Sequence, residues 1–264
     1  MMYEWPLIND NICDEDKEAL VDFIKTPNVR FTNGTKVKNF ESEWCEWNKV
    51  SHSTFVNSGA SANYIMASLV RQTLTQEQLQ AGAEVIVPSL CWVSDVSPIV
   101  NLGMVPVFVD VDPTTMSLDT ALTLDAINNK TVAIVLVHGL GFDGLTDELL
   151  TAIKQHDIFL IEDCCEAHGA THNGMPVGTF GDVSNFSFYF GHHMTSVEGG
   201  MVCTDSQELD DYTKMYRSHG MVRDVSTDTQ QHYIEKYPDV NPLFLFAVPG
   251  YNLRNNELNA VIAS

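Results

Sequence analysis

The chain has 264 residues, of which 44% are hydrophobic and 19% charged, enough for one large domain with a real core rather than a disordered polymer. Its formal charge of -21, from 35 acidic against 14 basic residues, argues against nucleic acid or an anionic membrane as partner, because both need clustered cations. No apolar run reaches the roughly 20 residues that span a bilayer, and six scattered cysteines without a Cys-x-x-Cys pattern suit reduced thiols. The start Met1-Met2-Tyr3-Glu4-Trp5-Pro6 has neither the basic nor the apolar part of a signal peptide, so a cytoplasmic protein is expected.

Residues 54–57 form the first short apolar strand, and Asn57-Ser58-Gly59-Ala60-Ser61 turns it into a helix over 60–72. Backbone N–H groups at such a helix start suit a phosphate, with Ser61 adding a hydroxyl. Taken alone, the same motif reads as a simple N-cap. A second strand, 84–88, ends near Trp92, whose ring suits stacking on a planar heterocycle or burial in the core; a helix over 94–102 follows.

Strand 105–111 and a helix over 118–128 come next, then strand 132–138, which places His138 at its end as a packed or a site histidine. A helix over 145–155 precedes strand 159–164. That run, Ile158-Phe159-Leu160-Ile161-Glu162-Asp163, carries Asp163 to the edge of a buried sheet, where it needs a cationic partner or caps the next helix. Glu166 and His168 share the following turn.

Strand 183–189 ends at Ser187, an ordinary turn serine or a second phosphate hydroxyl. The loop Gly191-His192-His193-Met194 then leads through Glu198-Gly199-Gly200 into strand 200–204 and a helix over 207–217. His192 and His193 are adjacent and have no completing cysteine or carboxylate at a recognised spacing, so no metal site is expected. Residues 225–249 are the least regular stretch, a substrate or dimer loop or a surface insertion. The chain stops in a helical pattern without a C-cap signal, which reads as a truncation. Seven strands alternating with helices imply an α/β domain with a mostly parallel sheet covered on both faces, and a ligand at the carboxyl ends of the strands.

In order, these pieces resemble the DegT/StrS family of nucleotide-sugar aminotransferases, with the type I, aspartate aminotransferase-like fold of pyridoxal-phosphate enzymes. The resemblance runs from Phe31-Thr32-Asn33-Gly34 to Tyr251-Asn252-Leu253-Arg254 and includes Glu162-Asp163-Cys164-Cys165-Glu166-Ala167-His168-Gly169-Ala170. It implies that residues 1–264 hold an N-terminal segment and the large cofactor-binding domain, without the family's small C-terminal domain. It further implies that Gly59, Ala60, Ser61 and Ser187 bind the cofactor phosphate and that Trp92 stacks on its ring. Asp163 would pair with the ring nitrogen, Glu166 would lie near the phenolic oxygen, and Asn252 would reach the phosphate in a neighbouring subunit's site, in a homodimer with shared active sites.

The chain departs from that family at the lysine that anchors the cofactor covalently: aligning the loop on Ser187 and Glu198-Gly199-Gly200 puts His192 there. A histidine moves protons but cannot hold the aldehyde. His192 marks a resemblance to the sugar 3-dehydratases, foremost those acting on GDP-4-keto-6-deoxymannose in deoxysugar and lipopolysaccharide biosynthesis. That resemblance implies non-covalently bound pyridoxal or pyridoxamine phosphate, a sugar-nucleotide substrate, glutamate as amino donor and His192 as the catalytic base. A related CDP-sugar dehydratase carries an iron-sulfur cluster on closely spaced downstream cysteines; here only Cys203 lies downstream, so no cluster is expected. A binding or regulatory protein, or an inactive fragment, is the alternative.

Overall fold

Short β-branched runs separated by amphipathic segments can bury both faces of a sheet only if helices cover each side. The computed structural model shows this arrangement for the residues it describes, Ile8 and residues 11–264; the stretch 1–6 read against a signal peptide lies outside the described residues. In chain order come α1 (Asp14–Lys25), α2 (Thr35–Asn48), β1 (His52–Val56), α3 (Gly59–Thr73), α4 (Gln76–Gln80), β2 (Glu84–Pro88), α5 (Val93–Asn101) and β3 (Val105–Val109). Then follow α6 (Thr120–Ala126), β4 (Thr131–Val137), α7 (Asp147–His156), β5 (Phe159–Asp163), β6 (Val183–Ser187), β7 (Gly200–Thr204), α8 (Gln207–Arg217), α9 (Thr227–Lys236) and α10 (Glu257–Ala263). The seven strands form one sheet in the order β1-β7-β6-β5-β4-β2-β3. Only β7 runs antiparallel, against both β1 and β6, and the remaining pairs are parallel. Six carboxyl ends therefore line one edge.

Alternate residues of each strand enter opposite cores. Val56, Val85, Val135, Ile161 and Val202 pack on the face under α3 and α8. Phe55, Phe186 and Met201 enter the other face against α2. There Trp44 of α2 meets Phe188 edge-on at 4.9 Å between ring centroids, a geometry that adds about 1 kcal/mol to the burial itself.

Three expectations change. Strand 105–111 breaks at Asp110, whose carboxylate accepts from Val111 N at 2.9 Å and Ser89 Oγ at 3.1 Å, so Val111–Asp112 pairs with Ser117–Leu118 in a separate ribbon. The helix expected over 118–128 shortens accordingly: Leu118 belongs to that ribbon, and Asp119 caps α6 by accepting from Leu122 N at 2.9 Å. The irregular stretch 225–249 contains a regular helix, α9. Its residues Thr227-Asp228-Thr229-Gln230-Gln231 show no apolar period, and its start is fixed instead by Ser226 and by Asp211 of α8. The Asp211 carboxylate accepts from Ser226 N at 2.7 Å and from the Ser226 and Thr229 hydroxyls at 2.6 Å each.

α10 is fastened to the front of α2. Glu257, 3% exposed, accepts from the backbone N–H groups of Gly34, Lys36 and Val37 at 2.9, 3.0 and 2.9 Å. A carboxylate at a helix start satisfies donors that the helix cannot and meets the positive end of its dipole. Glu257→Ala is expected to lower stability by about 2 kcal/mol, read as a shifted urea midpoint at unchanged slope. An unshifted midpoint would show that water replaces the carboxylate at no cost.

Candidate active site

Three chain segments meet where β1, β6 and β7 come together. Ser58 caps α3, its Oγ accepting from Ser61 N at 3.1 Å and lying 3.0 Å from Ser61 Oγ. The amides of Gly59 and Ala60 in the first turn have no acceptor within the helix. A side chain at Gly59 would lie 2.7 Å from Ser187 Cβ, and one at Gly200 would lie 2.3 Å from Ser58 O. Gly200 thus needs glycine because backbone approaches backbone, whereas Gly59 leaves room for the side chain of Ser187, which is 4% exposed and brought against the helix start. The cap uses Ser58, which leaves the first amides of α3 without a partner inside the helix.

The floor of the site is a buried carboxylate held by amides. Asp163 ends β5 and does not cap a helix. Its Oδ1 accepts from Cys165 N at 2.9 Å, and its Oδ2 from Asn63 Nδ2 at 3.1 Å and Asn185 Nδ2 at 3.4 Å. All three donors are neutral, so the charge of a 5% exposed carboxylate is stabilised without a cation among them, an arrangement that fits a protonated heterocyclic nitrogen. Asn63 also donates to Asp95 Oδ1 at 2.9 Å, and Asp95 Oδ2 accepts from Trp92 N at 3.1 Å. Trp92 itself is 76% exposed. Core burial is therefore not its fate; its ring stands open at the carboxyl end of β2.

The loop after β6 is pinched at its base. Phe188 N donates to Gly199 O at 2.9 Å, and Phe188 O accepts from Ser196 N at 3.0 Å and Thr195 Oγ1 at 3.1 Å. Within it, His192 N donates to Tyr189 O at 3.0 Å, and the imidazole is part-buried. Burial lowers its pKa below the ordinary 6.5, against the opposing pull of the Glu166 and Asp163 charges. Glu166 is exposed and its Oε2 accepts from Leu140 N at 2.9 Å, so its charge lies on the same side of the sheet edge as His192.

Two histidines fall outside this group. His138 is fully buried; its Nδ1 accepts from Gly144 N at 3.2 Å and its Nε2 lies 3.1 Å from Glu162 Oε2. It is a packed, satisfied histidine. Together with Glu162 and Cys164 its ligand atoms lie within 4.8 Å of one another, but both ring nitrogens and the carboxylate already have partners, so the cluster is a hydrogen-bonded knot of the fold. His168 turns into the aromatic core, 5.5 Å from Phe186 and 5.8 Å from Trp44 and Phe188 between ring centroids. Burial, with smaller contributions from His193 and His192, pushes its pKa down to about 3.

An unfolded chain protonates that side chain at pH 6.5 while the folded one resists until about pH 3. Stability is complete above the unfolded value and declines as pH falls through this window. At about pH 5 the loss is on the order of 2 kcal/mol. His168→Phe is expected to flatten the acid side of the Tm profile; a variant with the wild-type profile would show that His168 does not carry the effect.

Comparison with known proteins identifies the family of this chain. Residues 11–264 match the DegT/DnrJ/EryC1/StrS aminotransferase family. The chain belongs to that family. A GDP-4-keto-6-deoxy-D-mannose 3-dehydratase of Yersinia pseudotuberculosis is 33% identical over 265 residues, covering 99% of this chain and 66% of the relative. A solved Escherichia coli GDP-4-keto-6-deoxy-D-mannose-3-dehydratase with bound hydrated PLP superposes with a TM-score of 0.87 at 30% identity, over 100% of this chain and 67% of that one. A GDP-4-keto-6-deoxymannose-3-dehydratase with a trapped PLP-glutamate geminal diamine gives 0.85 at 30% identity, over 98% and 67%. The fold is therefore that of the type I PLP-dependent aminotransferases. The chain spans about two thirds of the length of the curated relatives it matches.

Among the family's expected positions in this chain, Asn252 stands apart. It is exposed and forms a single antiparallel bridge with Ser218. Several residues that position the site had no motif to announce them. Asn63 and Asn185, which hydrogen-bond to each other as well as to Asp163, come from the middle of a helix and of a strand. Asn255 and Asn259 both donate to Glu198 O, at 3.1 and 2.8 Å, and so tie the histidine loop to α10. The one available signal was polarity in an apolar context, as with Asn185 in Val-Ser-Asn-Phe-Ser, where all five residues are buried.

Proposed function

We propose that this chain is the large cofactor-binding domain of a vitamin-B6-dependent sugar-nucleotide 3-dehydratase, acting on a 4-keto-6-deoxy sugar nucleotide in deoxysugar biosynthesis. The observation that carries the proposal is a histidine, His192, in the loop between Ser187 and Glu198-Gly199-Gly200, where the family it resembles has its anchoring lysine. The start of α3 at Gly59, Ala60 and Ser61, with Ser187 against it, would hold the phosphate; Trp92 would cover the ring and Asp163 would meet its nitrogen. Glu166 would lie near the ring oxygen, and Asn252 would reach the phosphate of the neighbouring site in a homodimer. With no lysine in the loop, pyridoxal or pyridoxamine phosphate would be held by these contacts without a covalent bond. Bound pyridoxamine phosphate supplies the amine that joins the sugar's 4-keto carbon and a conjugated ring that accepts electrons released there.

His192 does the proton work. Burial lowers the pKa of its imidazole, so as a free base it would take the proton from the C4′ carbon of the bound cofactor and deliver it to the departing 3-hydroxyl, which would leave as water. Glu166 and Asp163 stabilise the imidazolium formed in between. Glutamate would restore the amine form, as suits the relative solved with a PLP-glutamate adduct. The proposed reaction uses no iron-sulfur cluster; Cys203, which follows His192 in sequence, is buried within β7. The working compartment would be the cytoplasm; among the described residues no helix is long and apolar enough to cross a membrane.

The test adds pyridoxal phosphate and glutamate, then GDP-4-keto-6-deoxymannose, and follows cofactor absorbance together with the sugar product. Loss of the 3-hydroxyl without a new amino group is expected. A sugar that gains an amino group would make the chain an aminotransferase, and cofactor binding without turnover would make it a binding protein.

A further inference from the structure

Asp95 is a second carboxyl beneath the site. It lies in the first turn of α5, is 5% exposed, and shares the Asn63 amide with Asp163, at 2.9 and 3.1 Å. The titratable groups around the two carboxyls offer little positive charge. Cys91, ahead of α5, has its thiol pKa pushed up to about 12 by burial and then by the charges of Asp95 and Asp163. Cys165, after β5, is raised well above the thiol range by burial and Asp163. Both thiols are therefore neutral. The charge of Asp163 acts on His192, which burial keeps in its free-base form.

Two carboxylates that face each other in such surroundings cannot both ionise near neutrality. Asp163 accepts from three N–H groups, including the backbone amide of Cys165, and Asp95 from two. More donors stabilise the charged form more, so the negative charge settles on Asp163 and the proton on Asp95. The pKa of Asp95 agrees: burial first, then the charge of Asp163 and a hydrogen bond to it, push it well above the carboxylate range. A cavity of about 10 Å³ beside Asn63 and Asp95, otherwise lined by apolar side chains such as Met66, Val135 and Ile161, is at the lower limit for one water.

We propose that Asp95 is a positioning residue that keeps a proton between itself and Asp163, so that the pair offers one negative charge, held by Asn63 and Asn185, to a protonated ring nitrogen. The ligand rests on the cofactor assignment above; the proton rests on this chain's residues alone. The neutral acid is a structural match for an amide, since each has one acceptor and one donor. Asn63 Nδ2 has a third acceptor within reach, Ser94 Oγ at 3.2 Å, and loses nothing if residue 95 becomes a donor.

Infrared spectroscopy of the ligand-free protein at pH 8 tests this directly. A neutral-carboxyl C=O band that shifts in D2O and is missing from Asp95→Asn is expected. Thermal unfolding gives a second reading. Asp95 keeps its proton when folded and releases it near the ordinary carboxylate value of 3.8 when unfolded, so its contribution to stability is complete below that pH and declines as pH rises. The Tm advantage of Asp95→Asn over wild type should therefore widen from about pH 5 to about pH 8. Pyridoxal phosphate affinity should hold within about threefold in Asp95→Asn and fall by about tenfold in Asp95→Ala, where the donor to Asp163 is lost. No neutral band in the wild type, or parallel Tm profiles, would overturn the proposal. These two readings need no cofactor and no sugar, so a failed dehydration assay leaves them intact.

Discussion

His192→Lys is expected to lose dehydration by about a thousandfold and to gain a borohydride-trappable bond to pyridoxal phosphate. The loss follows from proton chemistry. The wild-type imidazole is a free base at neutral pH because burial lowers its pKa, whereas a lysine, with a reference pKa of about 10.4, enters the same loop protonated and then reacts with the aldehyde. Geometry allows the exchange, since the loop is closed at its base by Phe188 backbone contacts rather than by the imidazole. The same reasoning sets the acid limb of the wild-type profile. As the proposed base His192 would act only unprotonated, so kcat/KM should fall with decreasing pH through an apparent pKa below 6.5, the value from which burial lowers it. Retained dehydration in His192→Lys or His192→Asn would remove His192 from its role; an acid limb above 6.5 would contradict the burial effect.

Glu162→Ala is expected to cost on the order of 4 kcal/mol, or about 10 °C in Tm for a domain of this size. Glu162 is fully buried and accepts from Gly178 N at 2.8 Å, Phe180 N at 2.8 Å and Gly181 N at 2.6 Å. His138 is the fourth donor, because its Nδ1 already accepts from Gly144 N, which places the ring proton on Nε2 towards Glu162. Alanine would leave four donors unpaired at once, two of them, Gly178 N and His138, buried and two, Phe180 N and Gly181 N, part-buried. Glu162→Gln should be intermediate: the amide oxygen can still serve Phe180 and Gly181, while the new NH2 faces donors. Differential scanning calorimetry orders the three proteins. Equal Tm values for alanine and wild type would mean that ordered water fills the site without penalty.

The sheet was legible because its seven strands are β-branched runs too short for helices, and the first residues of the candidate site were legible because they sit where those runs end. Ser187 and Asp163 are the last residues of β6 and β5. The amide network was not legible, since its pairs are distant in sequence: Asn63 meets Asp95 across 32 residues, Asp163 across 100 and Asn185 across 122. Polarity obscured α9, and α1 buries Phe23 alone among its described residues, leaving too narrow an apolar stripe to read. Trp92 shows the opposite case. Its residue type favours burial, and only its position at the end of β2 marks it as a surface for something else.

The antiparallel insertion of β7 has a consequence for how the chain is made. β1 takes its ladder partner from β7, His52 opposite Thr204 and Val56 opposite Gly200, about 150 residues later. At ribosomal speeds of about 5–20 residues per second, β1 leaves the ribosome on the order of ten seconds before that partner exists. Throughout that interval Phe55 and Val56, both fully buried in the finished fold, lack their ladder partner and have only the neighbouring helices α2 and α3 to pack on. A contact closed over so long a stretch forms late and slowly. The newborn chain is accordingly most exposed to misassembly and chaperone capture at its first strand.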